Sequence, residues 1–217
     1  MQNRLILFQG DSITDGNRIK GNTTDLNHQI GHSYAYCISA KLGAENPQKG
    51  YRFVNRGISG NTVFDLAKRW EEDCLSFCPD VLSILVGVND VHYSVFADRK
   101  VDIKAFEDTY RKIIGRMQLV NPQAKIILME PFSLCLGGPA TQWDAWHSLL
   151  CDIQKSVAAV AEQTGVYFLP LQKMFDELCS RADASYWIWD GVHPTENGHW
   201  MLANAWLGFV EQNGILG

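Results

Sequence analysis

The sequence predicts an open α/β fold, a parallel five-stranded sheet with helices on both faces. Three observations carry this expectation. Short apolar runs of strand length alternate with helical periodicities five times along the 217 residues. The run at residues 81–86 is apolar throughout apart from Ser83, as a strand buried on both faces requires. Polar, glycine-bearing turns follow several of the runs, where the carboxyl ends of parallel strands would share one edge.

The first strand spans residues 5–9 and ends at Gly10-Asp11-Ser12. The loop at residues 10–31 is rich in Asp, Asn, Thr and Gly, and is longer than an ordinary βα connection, which marks function or mobility. His28 and His32 stand four apart in it; that spacing suits a metal only on a helix, and Gly31 argues against one, so no metal is assigned. A helix is expected at 33–42, with Tyr34, Ile38 and Leu42 on one face. Strand two is 51–55, closed by the turn Arg56-Gly57-Ile58-Ser59-Gly60-Asn61-Thr62. Val63, Leu66, Ala67, Trp70, Cys74 and Phe77 then predict one continuous helix, stopped by Pro79. Strand three, 81–86, runs into Gly87-Val88-Asn89-Asp90. An amphipathic helix at 102–120, strand four at 125–129 and a loop at 130–141 follow. A helix from about Trp146 closes at Gly165, and strand five is 166–169. A short helix near 171–179, an irregular stretch at 181–198 and a last helix bearing Leu202, Ala205, Trp206, Phe209 and Val210 complete one domain, 1–217.

Composition narrows the function classes. The chain is 46% hydrophobic and 20% charged, an ordinary globular balance. With 19 basic and 24 acidic residues the net charge is −5, so no nucleic-acid or anionic-membrane partner is indicated. No secretory signal and no run of membrane-spanning length is visible, and the expected location is cytoplasmic. The six cysteines, Cys37, Cys74, Cys78, Cys135, Cys151 and Cys179, lack a framework of short spacings and read as reduced thiols. Cys74 and Cys78 would share one helical face as small core residues.

Three strand-end loops and the irregular segment carry the chemistry. Acyl transfer needs a nucleophile, a base, a group that orients the base, and donors for an oxyanion. Ser12 offers the hydroxyl, His193 an imidazole near neutrality, and Asp190 a carboxylate three residues earlier. The amides of Ser12 and Gly57 and the side-chain amide of Asn89 are the candidate oxyanion donors. Each residue has an ordinary reading too. Asp11-Ser12 suits a helix N-cap, Gly57 a turn, Asn89-Asp90 a turn or cap, and His193-Pro194 a helix start. The catalytic reading gains its weight from the five occurring together at the required places.

These blocks resemble the SGNH (GDSL) family of serine esterases and lipases: Gly10-Asp11-Ser12, Gly57, Gly87-Val88-Asn89-Asp90 and Asp190-Gly191-Val192-His193-Pro194. The resemblance implies a flavodoxin-like three-layer α/β/α fold, a Ser12-Asp190-His193 triad, and oxyanion donors at Ser12, Gly57 and Asn89; no cofactor or metal is expected. Gly57 to Val63, Arg69-Trp70-Glu71-Glu72-Asp73 and Trp189-Asp190 are further similar to intracellular acetylesterases that deacetylate xylo-oligosaccharides. That narrower resemblance implies a homo-oligomer acting on a small acetylated saccharide. Gly191 within the catalytic loop and the loops after Ser12 and Asn89 depart from it, which bears on substrate identity. Trp189, beside Asp190 and next to Tyr186 and Trp187, is the candidate substrate-binding ring and acyl-pocket wall, with packing as its other reading.

Competing classes are weaker. A nucleotide-binding module should show a G-x-G-x-x-G or phosphate-loop motif, and an α/β-hydrolase a G-x-S-x-G elbow; neither follows any strand. A lysophospholipase or thioesterase of the same family should carry an apolar lid, and no insertion of that kind is present. A non-catalytic doubly wound binding module would not need the triad.

Overall fold

The computed structural model describes residues 4–21 and 26–217; residues 22–25 of the first long loop lie outside them. The strands are β1 (Leu5–Gly10), β2 (Arg52–Asn55), β3 (Val81–Leu85), β4 (Lys125–Met129) and β5 (Tyr167–Leu169). They form one sheet of order β2-β1-β3-β4-β5, every neighbouring pair parallel. The helices in chain order are α1 (Ser12–Asp15), α2 (Leu26–Gln29), α3 (Tyr34–Glu45), α4 (Val63–Lys68), α5 (Trp70–Asp73), α6 (Val88–Phe96), α7 (Ile103–Val120), α8 (Gly137–Ala140), α9 (Trp143–Thr164), α10 (Gln172–Leu178), α11 (Ala184–Trp187) and α12 (Glu196–Gln212).

The arrangement is the flavodoxin-like three-layer fold. The chain steps from β1 outward to β2 and then returns to β3 on the other side. Such a reversal opens a crevice between the loops after β1 and β3, the place where doubly wound sheets bind ligands. Helices α3 and α12 pack together on one face, and α4, α7 and α9 on the other. β1 and β3 are buried along their whole length, which is why their sequence lacks strand-like alternation. On the α3/α12 face, Phe8 meets Tyr34 and Trp206, and the Trp206 indole donates to Ser83 Oγ at 2.7 Å. That bond gives the central strand's serine a buried partner.

Helix boundaries follow local chemistry. Ser33, Thr62, Asp102 and Thr195 cap α3, α4, α7 and α12 with side-chain oxygens, Thr62 in a reciprocal box with Asp65. Gly165 ends α9 in the left-handed conformation.

Several expectations need correction. The helix predicted through residues 63–77 is broken at Arg69 and again at Cys74, and a 3-10 turn (Leu75–Phe77) finishes it. Cys74 is therefore buried, with its sulfur against Met117 Sδ, while Cys78 is exposed; they share no helical face. Helix α6 was unforeseen: Gly87 at its start has φ 133° and no side-chain cap, so the segment reads as a turn. The irregular stretch at 181–198 contains α11 and an antiparallel bridge between Ile188 and Pro194. His28 lies on α2 and His32 beyond Gly31, whose φ is 74°; the two rings meet edge to face, and among the described residues no cluster of three metal-binding side chains exists. No helix among the described residues is long and apolar enough to cross a membrane.

Candidate active site

Ser12 is the first residue of α1, separated from the end of β1 by Asp11 alone. Asp11 caps the turn, its Oδ1 accepting from the Ile13 amide at 3.0 Å. The amides that open a helix have no partner within it, so the Ser12 N–H is available to a ligand. Asn55, at the end of β2, holds the loop behind the serine: its Nδ2 donates to Thr14 O at 2.6 Å and Ile30 O at 2.7 Å.

His193 and Asp190 come from the loop between α11 and α12. The Ile188–Pro194 bridge narrows this loop at its base, and Trp189 N donates to His193 O at 3.1 Å. Gly191 sits at φ 93°, and a side chain there would meet Leu136 O at 2.3 Å, so only glycine allows the loop to lie against residues 134–136. Ser133 Oγ and Leu134 N both donate to Gly191 O, which fixes that contact.

The three side chains form one line. Ser12 Oγ is 2.8 Å from His193 Nε2, and His193 Nδ1 is 2.7 Å from Asp190 Oδ2. Asp190 Oδ1 accepts from the amides of Val192 and His193 at 2.9 and 2.7 Å. Burial pushes the Asp190 carboxyl up, but these hydrogen bonds outweigh it and hold the group below its ordinary value. The hydrogen bond it donates to Asp190 raises the His193 imidazole above its ordinary value, against the opposing effect of burial. An ionised Asp190 accepts only, so the proton of neutral His193 sits on Nδ1 and Nε2 faces the serine hydroxyl.

Beside this line lies an open cavity of about 390 Å³, reached by Ser12, Asn89, Gly60 and His193. Asn89 is in the first turn of α6, and its Nδ2 donates to Asn61 O at 3.1 Å, leaving a second N–H for a ligand. Tyr93, one turn along α6, donates to Gly60 O at 3.2 Å. The α6 helix thus sets both Asn89 and the Gly60 loop.

Two expected site residues are placed differently. Gly57 does not line the cavity: its amide donates to Asn55 Oδ1 and its carbonyl accepts from Arg18 Nε, both at 2.9 Å. A Cβ at Gly57 would stand 2.4 Å from the Asp15 amide, so this glycine serves close packing behind the serine. Gly60 takes the place at the cavity. Its signal in sequence is position, two residues before the Thr62 cap, where a loop turns into a helix. Trp189 is not in the cavity wall either. It is 63% exposed and stacks on the outer side of His193, with centroids 5.9 Å apart. The aromatic wall is formed instead by His92 and Phe96 of α6 with Trp146 of α9, whose rings lie within 6.2 Å of one another. A helical i, i+4 pair on an unforeseen helix hid this wall from sequence reasoning.

The sequence model of GDSL-like lipases and acylhydrolases matches residues 8–201 of this chain. The chain belongs to that family. It is 35% identical over 207 residues to an acetylxylan esterase of Geobacillus stearothermophilus, covering 93% of this chain and 91% of the relative. The crystal structure of that organism's acetylxylan esterase Axe2 superposes with a TM-score of 0.83 at 34% identity, covering 94% and 93% of the two chains. A structure described as a GDSL-like lipase from Parabacteroides merdae superposes with a TM-score of 0.90 at 37% identity, covering 98% and 96%. Structures of Axe2 described as catalytic mutants carry alanine for a serine, an aspartate and a histidine. The chain is a carboxylic ester hydrolase of this family.

Proposed function

We propose that this protein is a serine esterase that removes acetyl groups from acetylated xylo-oligosaccharides through an acyl-enzyme. The observation that carries the reading is the hydrogen-bonded line from Ser12 through His193 to Asp190 at the mouth of the cavity. The catalytic mutants of Axe2, a serine, an aspartate and a histidine, support the same assignment.

In the reaction, Ser12 Oγ attacks the ester carbonyl while His193 Nε2 takes its proton. Asp190 holds the ring and stabilises the imidazolium that forms. The developing oxyanion is met by the amides of Ser12 and Gly60 and by Asn89 Nδ2. His193 returns the proton to the departing sugar oxygen, and water repeats the sequence in reverse to release acetate. The cavity, at the small end of the roughly 300–1,000 Å³ typical of ligand sites, has room for an acetyl group with a sugar ring behind it. Phe96 and Trp146 offer apolar faces to the ring's C–H bonds, and His92 a polar edge to its hydroxyls.

Acetate release from acetylated xylo-oligosaccharides tests the reading, beside kcat/KM for acetyl, butyryl and octanoyl esters of p-nitrophenol. Acetyl should exceed butyryl by about tenfold, the scale of one or two refused methylenes. Ser12→Ala should lower kcat by about 10⁴–10⁶-fold, with KM little changed. A fluorophosphonate should label Ser12 alone. An active alanine variant would remove the nucleophile, and a preference for octanoyl would transfer the enzyme to long-chain esters.

A further inference from the structure

Arg69 has no part in the chemistry above, yet its side chain is only 14% exposed and ties together the segments that build the site. It sits where α4 gives way to α5, within the Arg69–Asp73 motif. Its Nε donates to Asn61 Oδ1 at 2.7 Å, and its Nη1 to Arg56 O at 2.7 Å. Its Nη2 donates to Gly10 O at 3.2 Å. Nη1 also meets Asp73 Oδ2 at 2.9 Å, and the other oxygen of that carboxylate accepts from Arg56.

These partners are not scattered. Gly10 O belongs to the peptide that leads into Asp11 and Ser12. Arg56 and Asn61 bracket the loop that carries Gly60. Asn61 is itself the residue whose carbonyl holds Asn89 Nδ2. A single planar guanidinium therefore spans the nucleophile strand end and the oxyanion loop, and reaches Asn89 through one intervening residue. The fork's five donors have fixed directions, so it sets distances between segments as a lysine ammonium does not. Asp73, 6% exposed, holds the guanidinium from behind, and Gln9 Nε2 holds Asp73 by its carbonyl at 2.7 Å.

We infer that Arg69 is a positioning residue for the oxyanion site, holding the Gly60–Asn61 loop, and through it Asn89, at a set distance from Ser12. This rests on the esterase reading above. Its consequence is a transition-state effect: the substrate binds, but the donors sit wrongly for the charge that develops. A displacement of about 1 Å in such a constellation costs about 10²-fold in rate.

The test is a double-mutant cycle on acetyl ester hydrolysis, with folding followed by thermal unfolding. Arg69→Met should lower kcat by about 10²-fold with KM held within about threefold. Asn89→Ala alone should cost about 10²–10³-fold. The double variant should fall no more than about tenfold below Asn89→Ala, because both changes damage one device. Losses that multiply in full would mean Arg69 acts elsewhere and would overturn the inference, as would a folded Arg69→Met with wild-type kcat. Arg69→Lys, which keeps a charge beside Asp73 and so protects the fold, should show the same kcat loss as Met. Wild-type turnover in the lysine variant would reduce Arg69 to an ion-pair partner. Full activity in Ser12→Ala would defeat the esterase reading itself, an outcome separate from all of these.

Discussion

The indole of Trp189 lies over the outer face of the His193 ring, with planes 22° apart and centroids separated by 5.9 Å. The ring that sequence adjacency placed at the acyl pocket is thus a cover for the His193 imidazole. It shields one face of the imidazole from water and limits its rotation, while the other parts of His193 meet Ser12 and Asp190.

Trp189→Ala should therefore lower kcat without changing acyl selectivity. An aromatic pair of this kind contributes about 0.5–1.5 kcal/mol, or about two- to tenfold in rate if all of it orients the base. The ratio of acetyl to butyryl kcat/KM should stay at its wild-type value. A ratio that relaxes would return Trp189 to the pocket wall.

Phe96→Ala should separate saccharide from simple ester. Phe96 packs on Trp146 at 5.8 Å and on His92 at 5.4 Å, in the wall of the cavity that Ser12 and His193 also line. On the proposed function, KM for acetylated xylo-oligosaccharide should rise about two- to tenfold, the worth of one aromatic contact. Turnover of p-nitrophenyl acetate should hardly change. Equal losses on both substrates would mean the wall supports α6 rather than the sugar.

The pH profile should follow His193. A base must be neutral, and its hydrogen bond to Asp190 raises the imidazole above its ordinary value. kcat/KM should therefore climb through a midpoint above the usual histidine value and level off at higher pH. The same shift gives a stability contribution that is full below the unfolded-state pKa and lost as pH rises through the folded one. Activity and this ion pair accordingly favour opposite sides of the midpoint. Asp190→Asn should move the midpoint down and cut kcat by about 10⁴-fold. An unmoved midpoint would show that another group controls the profile.

The fold was legible because the strands of a doubly wound sheet are apolar runs, and Ile6–Phe8 and Val81–Leu85 have the length of strands and are too short for a buried helix. Ser12, Asn89, Asp190 and His193 were legible because strand ends and short polar loops concentrate reactive residue types. What stayed hidden depends on tertiary geometry. Gly57 and Gly60 are both glycines of one turn, and only tertiary contacts, the bond from Gly57 N to Asn55 Oδ1 and the close approach of Asp15, separate a packing glycine from a cavity glycine. The break at Arg69 leaves the apolar period of 63–77 intact, so periodicity cannot reveal it; the bonds to Gly10, Arg56 and Asn61 do.

Near Ser12, two buried carboxyl groups should make the protein lose stability as pH rises. Asp11 is buried and pushed up to about 7, and Asp90, buried on the first turn of α6, is pushed up to about 8, in both cases by loss of solvation. Asp90 Oδ2 accepts weakly from Val63 N at 3.4 Å, and Oδ1 has no hydrogen-bond partner among the described residues. Each group keeps its proton in the folded state over a range where the unfolded chain has released it. The folded state then binds more protons, so stability is full below the unfolded carboxylate value and declines as pH rises through the folded one. His199 has the opposite sign: burial lowers it to about 4, so stability is lost as pH falls below the ordinary histidine range. Its Nδ1 accepts from the Tyr34 amide, which requires the neutral ring. The two effects oppose each other at mildly acidic pH, and above it the carboxyls act without that opposition. Asp90→Asn keeps an acceptor for Val63 and removes the ionisation. Urea unfolding at pH 6, 7 and 8 should show the wild type losing stability more steeply than Asp90→Asn, by up to about 1.4 kcal/mol per pH unit, the linkage of one proton. His193 contributes a decline of the same sign, but it is common to both proteins and cancels in the comparison. Parallel curves would mean that Asp90 is already ionised in the folded protein.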